Sequence, residues 1–188
     1  FVLQEKDRWN AIKAGAEKYL TLKKTLTEFA SNPLKNVPAL QILNQEIEPL
    51  TQNILQLSND IVLNQEDGVN EDILLESHNL RFNWAMVVSS LRYYIASRNE
   101  DATNNYKLYL AGFQQSLSNL NDVEDELSDE QLDALEEVDS LLEDFEGAWQ
   151  KAYDVHSSDG WRRDAVFINE EVNPLLQALS KYTDQLIQ

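Results

Sequence analysis

The 188-residue sequence contains no cysteine, which excludes disulfides, thiolate zinc sites, iron–sulfur clusters and thiol nucleophiles. It has only five glycines and four prolines, too few for the many tight turns of a β-sandwich or β-barrel. No uninterrupted apolar stretch reaches the roughly 18 residues that a membrane-spanning helix requires. These absences favour a helical globular protein.

Basic residues are also scarce, since 15 Lys and Arg stand against 33 Asp and Glu, a formal net charge of −18. Such a charge repels nucleic acids and anionic membrane surfaces, so we expect neither as a partner. The excess is uneven: residues 1–35 carry a balance of +3 and residues 36–188 one of −21. Residues 121–148 hold thirteen acids and no base.

Apolar residues recur every three or four positions through this acidic segment, which predicts an amphipathic helix over about 129–155. Its first turn carries acids, and Ser128 followed by Gln131 predicts a capping box. A calcium loop is the alternative explanation for so many acids. That loop needs a glycine turn, and no glycine lies between Gly112 and Gly147.

The same periodicity, cut by proline, glycine and polar breakers, predicts six helices. They cover about 3–30, 39–65, 70–97, 102–120, 129–155 and 161–188, with Asp67-Gly68 ending the second. Six helices without any strand pattern predict an all-α, antiparallel up-and-down helical bundle. The chain is then either a single domain over 1–188 or two stacked four-helix modules that share long helices.

Two segments resemble each other at an offset of 125 residues. Residues 42–52 and 167–177 share five identical positions, including Pro49 and Pro174. A proline inside a helix costs about 3 kcal/mol unless it lies in a first turn or at a kink. Two alternatives remain open: related modules, each with a helix bent or restarted at its proline, or convergent bundle sequences.

The sequence offers no catalytic site. A carboxylate-bridged metal bundle needs Glu three residues before each His, but Leu75 precedes His78 and Tyr153 precedes His156. Phosphate-binding loops, dinucleotide fingerprints and nucleophile elbows are also missing from the sequence. We therefore expect a non-enzyme without cofactor or metal, and we interpret His156 as a solvated residue at a helix end.

Three arginines lie on or beside the predicted helix 70–97. Arg81 and Arg92 are eleven positions apart, so they lie within about 20° of each other and flank the apolar stripe, whereas Arg98 lies on the stripe near the helix end. They either pair with neighbouring acids or recognise a small carboxylate. The second alternative predicts a ligand site made of Arg81, Trp84, Arg92, Tyr93 and Arg98.

Residues 161–163, Trp-Arg-Arg, are a second candidate for the same chemistry, with pairing to Asp164 as the alternative. Ion pairing and anion recognition use the same guanidinium groups, so the sequence alone does not separate the two.

Residues 81–85, 91–99 and 106–113, together with the closing residues 171–179, resemble the periplasmic helical sensor domains of bacterial chemoreceptors and sensor histidine kinases. The six helices and the internal similarity look most like the helical bimodular type. The resemblance implies sensing of small organic acids, side-by-side homodimers, and a parent protein anchored in the membrane outside this chain. Its alternatives are recognition of a partner protein, or a structural bundle without signalling.

Overall fold

The computed structural model describes residues 2–64 and 70–187, so the predicted helix end at Asp67-Gly68 lies outside the described residues. Within these ranges there is no β-strand, and the predicted all-α helical bundle is confirmed. The helices are α1 (Val2–Ser31), α2 (Pro33–Asn36), α3 (Pro38–Ile42), α4 (Glu48–Leu63), α5 (Glu71–Ser97), α6 (Glu100–Asn121), α7 (Asp129–Ser157), α8 (Arg163–Phe167) and α9 (Asn173–Ile187).

Helix starts follow local side-chain chemistry. The side-chain oxygens of Asn32, Asn70 and Asn99 accept hydrogen bonds from the first-turn amides of α2, α5 and α6. The predicted capping box is confirmed, because the Ser128 hydroxyl accepts from the Gln131 amide and the Gln131 side chain accepts from the Ser128 amide. The acidic segment is therefore a helix, α7, as its apolar spacing predicts.

The chain divides into two compact units. Residues Ile42–Ser157 form one, called here the four-helix unit, which contains α4 to α7. Residues Phe1–Gln41 and Ser158–Gln188 form the other, called here the terminal unit. Its longest helices are α1 and α9.

One layer of the four-helix unit draws on all four of its helices. Trp84 of α5 is fully buried, with its ring 4.9 Å from that of Phe113 on α6 and 4.8 Å from that of Phe145 on α7. Its indole Nε1 donates to the carbonyl of Thr51 on α4 at 3.1 Å. Aromatic pairs at this spacing add to the burial energy, so Trp84 is the centre of this core.

The four helices are not spaced alike. On α6, a Cβ added to Gly112 would lie 3.0 Å from the Asn83 side chain of α5, so these two backbones approach closely. Longer side chains bridge α6 and α7 instead: Gln114 donates to Glu146 at 2.9 Å and Asn121 donates to Asp139 at 3.3 Å. At these two positions, polar side chains therefore hold the seam between α6 and α7.

In the terminal unit, α1 runs antiparallel to α8 and α9. Gly15 packs so tightly on Leu179 that an added Cβ would lie 2.5 Å from the leucine Cδ2, and Phe29 meets Phe167 edge-on at 5.9 Å. Among the apolar side chains of α1, Leu22 is buried, but Trp9 remains 62% exposed. Helices α8 and α9 therefore cover only some of the apolar side chains of α1.

Each of the two similar segments contains a π-helical turn, Leu43–Ile47 and Ile168–Val172, which differ by the same 125 residues. In each case the next residue's amide reaches back five positions, from Glu48 to Leu43 and from Asn173 to Ile168. Pro49 and Pro174 follow directly. The helices therefore continue across the prolines through a widened turn, and the sequence similarity extends to local conformation.

No helix within 2–64 or 70–187 combines the length and the apolarity needed to cross a lipid bilayer.

Candidate functional site

Arg92 pairs with an acid across two helices. Its Nη2 donates to the Glu48 carboxylate of α4 at 2.7 Å, and about half of the arginine side chain is exposed. This hydrogen bond lowers the pKa of Glu48 below its usual value, against the smaller opposing effect of burial. The structure therefore gives Arg92 the ion-pair arrangement that the abundance of acids predicts.

The other two arginines of α5 have different neighbours. Arg81 Nη2 lies 3.3 Å from Nδ1 of His78, one turn earlier on the same helix. Arg98 follows the last residue of α5 in the left-handed conformation, with φ of 54°, and its guanidinium donates to the carbonyl of Ser157 at 3.2 Å. Arg98 thus ends α5 and ties that end to the end of α7.

The two predicted aromatic wall residues lie on opposite faces of α5, because nine positions correspond to about 180° of helix. Trp84 is fully buried in the core, while Tyr93 is 54% exposed. Trp84 and Arg92 border one cleft of about 160 Å³, together with Thr51 and Gln52 of α4. The structure thus brings these two of the five predicted site residues together, at a cleft where Arg92 is bound to Glu48.

The second arginine candidate lies in the terminal unit. Arg162 makes two hydrogen bonds to the Asp164 carboxylate, which lower the pKa of that aspartate. Arg163 donates to the carbonyl of Lys35 at 3.2 Å. Of the two alternatives for this segment, ion pairing with Asp164 is the one that the structure shows for Arg162.

The interpretation of His156 as a solvated residue is wrong. His156 is fully buried, and its ring packs edge-on against Tyr94 of α5 at 5.4 Å. Burial, followed by the nearby positive charge of Arg98, lowers the pKa of this imidazole. The sequence shows His156 beside a polar loop, but the C-terminal end of α5 covers it.

The seam between α6 and α7 contains a cleft of about 260 Å³, called here the aromatic cleft. Its walls include Tyr106, Lys107 and Leu110 of α6 and Glu146, Trp149 and Tyr153 of α7. The rings of Tyr106 and Trp149 lie 4.9 Å apart, and those of Trp149 and Tyr153 lie 6.0 Å apart. Tyr106 and Trp149 are mostly buried, whereas Lys107 is exposed at the rim.

Glu146 is the half-buried acid of this cleft and accepts a hydrogen bond from Gln114. Burial raises the pKa of the Tyr106 phenol, and the negative charge of Glu146 raises it further. The carboxylate therefore acts electrostatically on the aromatic wall. Among the described residues, no three His, Asp or Glu side chains converge in a way that suits a metal ion.

The sequence pattern alone does not reveal the aromatic cleft. Trp149 fits the apolar stripe of α7, and Tyr106 fits that of α6, so the sequence pattern predicts that each residue is part of the core. The spacing from Glu146 to Trp149 and Tyr153 places them on one side of α7, but only the packing of α6 beside α7 makes them a wall.

No protein-family model, curated protein or solved structure matches this chain.

Proposed function

We propose that this chain is the ligand-sensing input domain of a bacterial transmembrane receptor, located in the periplasm, of the kind found in chemoreceptors and sensor histidine kinases. The resemblance of residues 81–85, 91–99, 106–113 and 171–179 to such domains supports the proposal. An all-α chain with a four-helix unit and clefts between its helices is compatible with it.

The observation that carries the proposal is the antiparallel pairing of the first and last long helices. Arg8 donates to the carbonyl of Gln185 at 2.7 Å, and Lys18 pairs with Glu171 at 3.6 Å. The start of α1 thus lies beside the end of α9. An input domain between two membrane-spanning segments needs this arrangement, because both of its ends must reach the same bilayer surface.

Signalling by such a domain requires a ligand that binds one helix arrangement better than another. Helices packed in a bundle can shift by about 1–2 Å along or across each other without losing their cores. In the four-helix unit, the seam between α6 and α7 suits such a shift, because side-chain contacts, rather than a close backbone approach, hold it.

A small carboxylate at the cleft of Arg92 is one candidate input. The ligand would displace Glu48 from the guanidinium and use Gln52 as an additional donor. Titration with succinate and citrate tests it by calorimetry, with Arg92→Ala as the variant that should abolish binding. Equal binding by Arg92→Ala and the unaltered protein would reject this site.

Homodimerisation forms part of the proposal. On α1, Leu3 is 79%, Trp9 62% and Leu20 66% exposed, an unusual amount of apolar surface for one helix. Sedimentation equilibrium should detect a dimer at micromolar concentration, and Trp9→Ala should weaken it. A monomer at all concentrations, with or without ligand, would rule dimerisation out for this chain.

Recognition of a partner protein is the second candidate function. The exposed residues Leu75, Phe82 and Tyr93 fall at seven- and eleven-residue spacings on one stripe of α5 and favour it. Pull-down from a periplasmic extract, with Phe82→Glu as the matched variant, distinguishes this candidate from small-molecule sensing.

The decisive experiment for the receptor itself is to read the gene on both sides of the region encoding this chain. Hydrophobic segments before and after it, followed by a signalling or kinase module, are the expected result. A gene without them rejects the receptor and favours the structural bundle.

A further inference from the structure

Three aromatic residues, Tyr106, Trp149 and Tyr153, line the aromatic cleft. Tyr106 and Trp149 are tilted by 39° to each other, and Trp149 and Tyr153 by 52°. The negative faces of aromatic rings attract cations, most strongly for Trp and Tyr.

The acids of α7 beside the cleft have the sign that a bound cation requires, although Lys107 also lines its wall. Glu146 lies in the wall of the cleft, on the same stripe of α7 as Tyr153 seven residues later. A second acid, Asp139, lies on this stripe seven residues before Glu146. The four-helix unit as a whole carries 24 acidic and five basic side chains, a formal balance of −19. Such a field concentrates cations at the surface and repels anions.

Lys107 is the basic residue in the wall of the cleft. It is exposed, and a lysine side chain can turn its ammonium group into solvent while its methylene groups remain against the wall. Its charge nevertheless has a definite effect, because it opposes a bound cation and favours a bound anion. The sign of that effect identifies the charge of the ligand.

We propose that the aromatic cleft binds a small organic cation, a primary or quaternary ammonium group with a short substituent. The ammonium group lies against Trp149 and Tyr153 with Glu146 as its counter-ion. A volume of about 260 Å³ suits a ligand of this size. For its biological meaning the inference rests on the proposed sensory function, whose ligand it names by class, but the binding itself is measured on this chain alone.

The experiment compares choline with 3,3-dimethylbutan-1-ol, a neutral molecule of nearly the same shape, by calorimetry on the 188-residue chain. Binding of choline at least about tenfold tighter than of the alcohol is expected, which corresponds to about 1.4 kcal/mol. Equal affinity would overturn the proposal, since the cleft would then respond to shape alone. Acetate serves as the anionic probe and should not displace choline from the aromatic cleft, whether or not a carboxylate binds at Arg92.

Variants assign the binding to this cleft. Glu146→Gln removes the charge but leaves an acceptor for Gln114, and should weaken choline binding about tenfold. Glu137→Gln is the matched control, because Glu137 is exposed and lies nine residues away, about 180° around the same helix. It should leave affinity within about twofold. Equal effects of the two variants would reject Glu146 as the counter-ion.

The variant Lys107→Gln tests whether the bound ligand is a cation or an anion. It should tighten choline binding about two- to fivefold, because it removes a like charge at the rim. Weaker binding would overturn the proposal in favour of a ligand that carries a carboxylate. The Trp149 indole N–H resonance, assigned from the Trp149→Phe spectrum, should shift on titration with choline, and an unchanged resonance would exclude the cleft.

The inference and the proposed function fail separately. If choline does not bind but membrane segments flank the chain in its gene, the receptor stands and the ligand class is wrong. If choline binds as described but no membrane segment is encoded, the cleft is a cation site in a protein that is not a receptor.

Discussion

The two compact units are built from the same kind of amphipathic helix but differ in how much of it they bury. The four-helix unit encloses a continuous core around Trp84, and each of its helices contributes to that layer. The terminal unit pairs α1 with α8 and α9 and leaves Trp9 mostly exposed. Helices with the same sequence pattern therefore bury different shares of their apolar side chains, because burial depends on which helices pack against them.

The units also differ in charge. Residues 42–157 carry a balance of −19, while the remaining residues carry nine acidic and ten basic side chains, a balance of +1. Cross-helix ion pairs occur in both, between Arg92 and Glu48 in the four-helix unit and between Lys18 and Glu171 in the terminal unit. Exposed pairs of this kind contribute about 1 kcal/mol or less, so the charge difference governs ligand attraction more than stability.

The largest expected effect is a loss of stability on replacing the buried Trp84, compared with the exposed Trp9. Trp84→Ala should lower the free energy of unfolding by about 3–5 kcal/mol, because it empties the central layer and removes the indole hydrogen bond to the Thr51 carbonyl. Trp9→Ala should change it by no more than about 0.5 kcal/mol at low protein concentration. Urea unfolding followed by circular dichroism measures both, and equal losses would contradict the contrast between the units. A cost of Trp9→Ala that grows with protein concentration would locate the dimer contact.

The next effect concerns the close contact within the terminal unit. Gly15→Val should destabilise the pairing of α1 with α9 by about 1–3 kcal/mol, because the new side chain overlaps Leu179. Hydrogen exchange should rise in α1 and α9 and remain unchanged in α5. The double variant Gly15→Val with Leu179→Ala should recover part of the loss. Increased exchange throughout α5 would show that the two units do not respond independently.

A pH dependence is expected for the four-helix unit. Burial and Arg98 lower the pKa of His156 below its usual 6.5, so the unfolded chain binds this proton first as the pH falls. The stability contributed by His156 is therefore complete above pH 6.5 and declines below it, by at most about 1.4 kcal/mol per pH unit.

Urea unfolding between pH 5.0 and 7.5 measures this slope, in a range above the titration of the low-pKa carboxyls Glu48 and Asp164. His156→Gln should flatten it, whereas His78→Gln, which keeps His156, should retain it. A slope that His156→Gln leaves unchanged would assign the effect to other groups.

The smallest expected effect is an increase in the stability of the four-helix unit. An added Cβ at Gly147 meets no atom within 4 Å, and the residue lies inside α7. Gly147→Ala should therefore raise the free energy of unfolding of the four-helix unit by about 0.5–1 kcal/mol, because alanine loses less backbone entropy in a helix. Thermal unfolding measures it. A loss of stability would mean that α7 needs glycine at this position for a reason other than space.

Local chemistry made much of the fold predictable. The Asn99 and Ser128 caps and the Pro33 breaker act within one turn, so the predicted helix boundaries agree with the structure to within about three residues where both are described. The short helix α2 was not predicted, because four residues carry no periodicity. The sequence predicts that Pro49 and Pro174 bend or restart their helices. In the structure a π-helical turn precedes each proline, with backbone hydrogen bonds that span five positions instead of four.

The candidate sites were less predictable. Helix periodicity places Arg81 and Arg92 beside the stripe of α5, but Glu48, the partner of Arg92, lies 44 residues earlier in the chain. Tyr106 and Trp149 form one wall only because α6 packs beside α7. His156 is buried by an element that precedes it by more than 50 residues.

By itself, the sequence determined that this protein is helical, where its helices begin and where its negative charge lies, because capping, periodicity and composition act locally. Only the tertiary structure decided which apolar stripes are covered, which arginine is paired and which aromatic residues meet in a cleft. These outcomes depend on which helices become neighbours, and that is set by the summed packing of side chains distant in the chain.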